Sequence, residues 1–297
     1  MIKSHYDIIK YSIGVDKVRT IKSSEIEKAI EKIAVDANYY INKDILDSIK
    51  TSLKKEISEN GKDVLKQLIK NAEIAEKEKM PICQDTGMAV VFLEIGQDVH
   101  IEGKTVNDAV NEGIRNGYKN GYLRKSIVKD PFDRINTGDN TPAIIHIDIV
   151  PGDKIKIDIA PKGFGSENMS ALKMLKPSDG IEGARKFIID TVIKAGSNPC
   201  PPVVVGIGIG GTMEKAALLS KKALIRPVNK SNTEVFYEKF EQELLEEINK
   251  TGIGPAGTGG RTTALGVNIE VFPTHIAGLP VAVNISCHAT RHKSMII

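Results

Sequence analysis

Apolar residues recur at helical spacing through the first quarter of the chain. In "DILDSIKTSLKKEI", Ile45, Ile49, Leu53 and Ile57 fall at i, i+4, i+8 and i+12, one helical face that Asp44 is placed to cap. "KDVLKQLIKNAEIAEKEK" repeats the pattern through Val64, Leu65, Leu68, Ile69 and Ala72, with lysines and glutamates on the solvated face. Residues 23–79 are therefore predicted to be helical. Beyond residue 80 the period changes. "MAVVFLEIG" has the length and composition of a buried strand. "VNDAVNEGIRNGYKNGYLRKSIV" returns to helix, loosened by glycines toward its end. In "AIIHIDIVPGDKIKIDIAPKG", Ile145, Ile147 and Ile149, then Ile155, Ile157 and Ile159, alternate with other residues across a Pro-Gly-Asp turn. That pattern predicts a hairpin with one buried face and one wet face. "IEGARKFIIDTVIKAG" reads as helix, and "PPVVVGIGIGGTMEKAALLSKKAL" as strand, glycine turn and helix. "NTEVFYEKFEQELLEEINKTGIG" is an amphipathic helix ended by glycine, and two strands close the chain. The expected fold is α/β: a helical N-terminal region, residues 1–80, packed on a mixed α/β region with antiparallel hairpins, residues 81–297, as one continuous domain.

Composition narrows the function classes. The 297 residues are 41% hydrophobic, enough for a sizeable core, and carry a net charge of only +3 with acids and bases intermixed. Nothing in that balance attracts nucleic acid or anionic lipid. No apolar run approaches the roughly 20 residues of a membrane span. "MIKSHYDIIKYSIG" is broken by charges and lacks the form of a signal peptide, so a soluble, cytoplasmic protein is expected.

Gly206, Gly208 and Gly211 satisfy G-x-G-x-x-G between a strand and a helix, the context of a dinucleotide fingerprint. No strand ending in Asp or Glu follows about 20 residues on, where the chain reads "LIRPVNKSN". The remaining uses of this turn are a helix start, at Thr212, aimed at some other anion, or tight strand–helix packing.

The cysteines number three: Cys83, Cys200 and Cys287. Their wide spacing matches no disulfide framework, zinc finger or redox pair, and by itself leaves three unrelated free thiols. Their surroundings, "MPICQDTG", "SNPCPPV" and "NISCHAT", are alike in being polar or proline-edged loop sequence. Three thiolates converging on one point would select zinc, copper(I) or an iron–sulfur cluster. Cubane clusters take four cysteines as a rule, so three would leave one iron open to substrate, as a dehydratase requires.

The blocks "KMPICQDTGMAVVFLEIG", "NTGDNTPAIIHIDIVPGDKI", "APKGFGSENMSALKML", "GIGIGGTMEKAALLSKKAL", "GIGPAGTGGRTTALGV" and "THIAGLPVAVNISCHATRH" occur in this order. They resemble the class I fumarases and L-tartrate dehydratases, from about residue 80 onward, with a weaker match in the N-terminal helices. The resemblance implies a [4Fe-4S] cluster on Cys83, Cys200 and Cys287, with one iron not bound by protein thiolate. It implies substrate contacts from Gln84 and Asp85, with Asp85 a candidate catalytic group. Arg124, preferred to nearby Arg115, corresponds to an arginine gripping a substrate carboxylate. Gly165 and Asn168 fall in a glycine loop that closes on substrate, here interrupted by Phe164. His275 corresponds to a catalytic histidine near the cluster. No role is assigned to His288 or Arg291. The implied reaction is reversible hydration of fumarate to (S)-malate, with L-tartrate dehydration as the alternative. A cluster-free nucleotide-binding protein using Gly206–Gly211 is the alternative from another class. The family includes two-subunit enzymes, and this chain resembles their alpha subunit. The expected partners are a small dicarboxylate and a beta subunit carrying the base and further cations, in a hetero-oligomer.

Overall fold

The helical periodicity of the N-terminal region resolves into three helices in a computed structural model that describes residues 18–297. A short strand, β1 (Arg19–Lys22), leads into α1 (Ser23–Tyr39), α2 (Lys43–Lys55) and α3 (Glu59–Glu78). Next come β2 (Met88–Gly96), β3 (Val99–Glu102), α4 (Val106–Asn120), β4 (Ile144–Val150), β5 (Ile155–Lys162), α5 (Phe164–Glu167) and β6 (Ala171–Leu175). The chain finishes with α6 (Gly180–Ala195), β7 (Val203–Gly210), α7 (Met213–Ala223), α8 (Val235–Lys250), β8 (Ala264–Phe272), β9 (Leu279–Ser286) and β10 (Lys293–Ile296). The α/β class is as expected. No helix among the described residues is long and apolar enough to cross a membrane.

Two four-stranded sheets organise the molecule, in the orders β10-β5-β2-β4 and β6-β9-β7-β8. The first buries Val91, Leu93, Ile157 and Ile159 against α1 and α4. The second buries Val205, Ile207, Val283 and Ile285 in a core shared with α6 and α8. Helices α2 and α3 complete a smaller cluster with Val204 and Leu265 of the second sheet. Lys222 on α7 reaches Glu94 and Asp148 of the first sheet at 3.8 and 3.6 Å. The chain crosses from the second sheet to the first between β9 and β10, so residues 287–292 lie at the junction.

Two local expectations are corrected, and the reading of the glycine turn is decided. The predicted hairpin is split: β4 pairs parallel to β2 and β5 antiparallel to β2, so β2 lies between them. The connecting loop passes over the end of β2, where a Cβ on Gly96 would lie 2.2 Å from the Gly152 carbonyl oxygen. As an edge strand, β4 leaves Ile147 and Ile149 exposed, whereas Ile155, Ile157 and Ile159 of β5 are fully buried. In α2 the capping position is Asn42, and Asp44 instead accepts a hydrogen bond from the Val228 N–H at 2.9 Å. That helix stops before Ile57, which is exposed. The glycine turn is not a phosphate cradle. Gly206 and Gly208 lie inside β7 and face α7, where added Cβ atoms would meet Ser220 O at 2.2 Å and Ala216 O at 2.0 Å. Their use is strand–helix packing, which removes the basis for the nucleotide-binding alternative.

Candidate active site

The strand order brings two of the cysteines together. β7 and β9 are antiparallel neighbours with Val204 opposite Ser286. Cys200, just before β7, and Cys287, just after β9, therefore emerge at the same end of the sheet. Cys200 has φ +55°, and its carbonyl accepts hydrogen bonds from the His288 ring Nδ1–H and, more weakly, the His288 main-chain N–H, at 3.0 and 3.5 Å.

Cys83 arrives from the other half of the molecule, on the loop between α3 and β2. That loop is fixed through its carbonyls. Ile82 O accepts from Asn71 Nδ2 at 2.7 Å, and Asp85 O from Arg291 Nη2 at 2.8 Å. Thr86 O and Gly87 O share the single proton of the buried Tyr118 hydroxyl, at 2.8 and 2.9 Å, and Gly87 O also accepts from Asn140 Nδ2. Buried backbone groups need partners, and here side chains from four distant segments supply them. The Cys83 thiol donates to Gln84 Oε1 at 3.3 Å.

The three thiols line one cavity of about 820 Å³, and no disulfide joins them. Burial pushes the Cys200 and Cys287 thiols up, and the neighbouring Cys83 thiol pushes both the same way. Among the described residues, no three His, Cys, Asp or Glu side chains are grouped tightly enough to hold a single metal ion. The donor set is three soft sulfurs around a space, and the one carboxylate on the same wall, Asp85, is engaged by main-chain N–H groups.

Gln84, Asp85, Arg124, Gly165 and Asn168 line the same cavity. Both Asp85 oxygens are committed to main chain: Oδ1 accepts from Gly87 N–H and Oδ2 from Phe164 N–H, each at 2.9 Å. The carboxylate thus ties the Cys83 loop to the glycine segment. That segment is not an open loop, because residues 164–167 form the single turn α5. Beneath it Lys162 is buried, bonded to Ser166 Oγ at 2.9 Å and Glu167 Oε2 at 3.2 Å. Burial pushes the Lys162 pKa down to about 8. Arg124 is exposed at the cavity wall, its carbonyl held by Thr86 Oγ1 at 3.0 Å. Arg115 is bound instead to Asp139 at 2.9 Å and Glu112 at 2.6 Å, and does not line the cavity.

His275 stands apart. It lies between β8 and β9, beside Thr274, whose hydroxyl donates to Gly211 O at 2.9 Å. That is the opposite end of the second sheet, separated from Cys287 by the whole of β9, roughly 23 Å of strand. Its ring Nδ1 accepts from Ala277 N–H at 3.2 Å. Within one chain His275 does not reach the thiols, so the geometry corrects its placement near the cluster. The α7 start at Thr212 lies at that same far end and does not face the cavity either. Two guanidiniums that the sequence reading left without a role do line it: Arg134, exposed, and Arg291, buried. The one available signal for Arg291 was its position four residues after Cys287.

Three thiols, three guanidiniums and a clamped carboxylate line this one cavity, and sequence comparison places the chain in a hydro-lyase family. The chain belongs to the family described as Fumarate hydratase (Fumerase), whose model matches residues 27–296. It is 44% identical over 273 residues to the "Putative L(+)-tartrate dehydratase subunit alpha" of Methanocaldococcus jannaschii, covering 90% of this chain and 95% of that protein. It is 33% identical over 258 residues to the L(+)-tartrate dehydratase subunit alpha of Escherichia coli O157:H7, covering 86% of this chain and 84% of that protein.

Proposed function

We propose that this chain is the cluster-bearing alpha subunit of a hydro-lyase that adds water to, or removes it from, a four-carbon dicarboxylate. The observation that carries this reading is the meeting of Cys83, Cys200 and Cys287 in one cavity that also holds Arg124. The donors fit a [4Fe-4S] cluster lacking one protein thiolate, because thiolate is the ligand such iron prefers and one site stays open. When bound, the cluster supplies a Lewis acid for the departing hydroxyl group.

The chain's own residues supply binding and order. Arg124 offers a planar pair of donors for one substrate carboxylate, and Arg134 adds positive charge on the same wall. Asp85 orients the Cys83 loop and α5 through its two main-chain hydrogen bonds. It is also the only carboxylate lining the cavity, which holds no His and no Lys among the described residues. A base for the carbon-bound proton is then the contribution of a beta subunit, which would also shut out water and strengthen every charge interaction inside. The relatives' naming as alpha subunits supports such a partner.

Fumarate and L-tartrate both suit a clamp for one carboxylate, and the family and relatives name one each. The test is anaerobic reconstitution of this chain with iron and sulfide, with and without its partner. Iron content and turnover of both substrates are then measured. The expected result is about four irons per chain and turnover only in the complex. A chain that takes up no iron would overturn the cluster reading. Substantial turnover by the partner-free chain would overturn the two-subunit reading.

A further inference from the structure

Arg291 is buried, 4% exposed, in the segment that crosses from β9 to β10. Its Nη1 donates to Asn38 Oδ1 at 3.1 Å and its Nη2 to Asp85 O at 2.8 Å. Asn38 is itself fully buried on α1, with Nδ2 bonded to Ala34 O, and its own carbonyl accepts from Ile82 N–H at 2.9 Å. One guanidinium thus joins α1, the loop that carries Cys83 and the segment that carries Cys287. The turn back to Cys287 is closed by Thr290 Oγ1, which donates to Cys287 O at 2.7 Å.

The charge has no evident purpose in the chain alone. Both partners are neutral oxygens, and Nε has no hydrogen-bond partner. The nearby Asp85 carboxylate is spent on Gly87 and Phe164. A buried cation is costly unless an anion compensates it, and neutral acceptors do so poorly. Substrate is not the natural anion here. Arg291 is covered and two of its nitrogens are engaged, whereas Arg124 is exposed and available. The anions that share the cavity wall with Arg291 are the Asp85 carboxylate, already bound to two main-chain N–H groups, and, once ligating, the thiolates of Cys83, Cys200 and Cys287.

We infer that Arg291 is a positioning residue of the thiol site: it sets the Cys83 loop against the Cys287 segment and provides the buried positive charge that ligating thiolates require. This rests on the cluster reading above. Arg291→Lys keeps the charge but loses the two-pronged bridge, and Arg291→Gln loses the charge. The first readout needs no cluster. In the metal-free full chain carrying Cys200→Ser, dibromobimane, which fluoresces on joining two nearby thiols, reports the approach of Cys83 to Cys287. Cross-linking should be efficient with Arg291 present and at least fivefold slower in both variants, with circular dichroism confirming the fold. The second readout is the cluster's midpoint potential in the reconstituted complex, followed by electron paramagnetic resonance. It should fall in Arg291→Gln and stay closer to the parent value in Arg291→Lys. If Arg291→Gln does not fold, Asn38→Ala removes one anchor and keeps the charge, and it should slow cross-linking as well. No cross-linking in the parent would overturn the thiol-site reading itself. Equal cross-linking in parent and variants would overturn the positioning role, and equal potentials the charge role.

Discussion

Two glycine-rich stretches, Gly206–Gly211 and Gly163–Gly165, each adjoin a helix, yet the missing side chains serve opposite ends. On β7 the space beside Gly206 and Gly208 is filled by the backbone of α7. Beside Gly165 the nearest atom to an added Cβ is Asn198 O at 3.9 Å, and the rest faces the cavity. The first stretch lets a helix lie close against a strand. The second keeps a wall of the site bare. In a third stretch, Gly254–Gly260, the last glycine faces a charge: Glu56 Oε1 would lie 2.5 Å from a Cβ on Gly260. What faces the absent Cβ, rather than the spacing of glycines, decides which of these a motif means.

The sharpest way to break this comparison is Gly208→Ala. Its methyl would enter the space of Ala216 O and force α7 away from the sheet, at a cost of about 3 kcal/mol or more. Urea denaturation should show a large loss of stability together with loss of activity. An unchanged midpoint would mean that α7 does not pack as described.

Arg124→Lys probes the open side. The residue is exposed, so stability should hold, whereas loss of a charge-assisted bond of about 1.5–3 kcal/mol should lower kcat/KM roughly ten- to a hundredfold. A near-parent kcat/KM would point to Arg134 as the carboxylate clamp.

Glu56 sharpens the comparison at the charge-filled stretch. Its carboxylate accepts main-chain N–H bonds from Ile57, Ser58, Arg261 and Thr262 at 2.8–3.0 Å. Burial pushes its pKa up, but the N–H groups of Ser58, Arg261 and Ile57 outweigh that and hold it below 4.5. A folded-state value below the unfolded one contributes stability above about pH 4.5 that is lost as pH falls through the folded value. Glu56→Gln should therefore cost about 1–3 kcal/mol near pH 7, and the gap in melting temperature should narrow as the pH is lowered from 4.5 through the folded-state value. A gap independent of pH would show that the charge is not what holds the loop.

A small effect on stability, similar to that of Arg124→Lys, is expected from Gly165→Ala. With no close neighbour and an ordinary φ, it should change stability by less than about 0.5 kcal/mol. Activity should nevertheless fall, because the methyl projects toward the space assigned to substrate. A strongly destabilised protein would place Gly165 with the packed glycines instead.

Much of this was legible before any coordinates. The period of 3.6 in residues 43–78 and of 2 in residues 144–162 located helices and strands, because side-chain direction follows directly from backbone geometry. The pairing of β4 was not legible, because alternation marks a strand without naming its neighbour. At the site, Cys83 stood out by its polar surroundings, whereas Gln84, Asp85 and Arg124 were singled out by the family resemblance. His275 also stood out, yet it lies at the far end of β9. Lys162 and Glu56 passed unnoticed because a lysine in a strand and a glutamate after a helix read as solvated until burial is known.

The sequence by itself determined the element types, the kinship with the fumarate hydratase family and the supply of three thiols without a fourth. Those properties reside in local periodicity and residue chemistry. Only the tertiary structure decided that β2 splits the expected hairpin, that one glycine stretch is packed while another is open, and that Arg291 is buried among the thiol-bearing segments. Each of those depends on contacts between distant residues, such as Arg291 with Asn38, 253 positions apart, which no window along the chain contains.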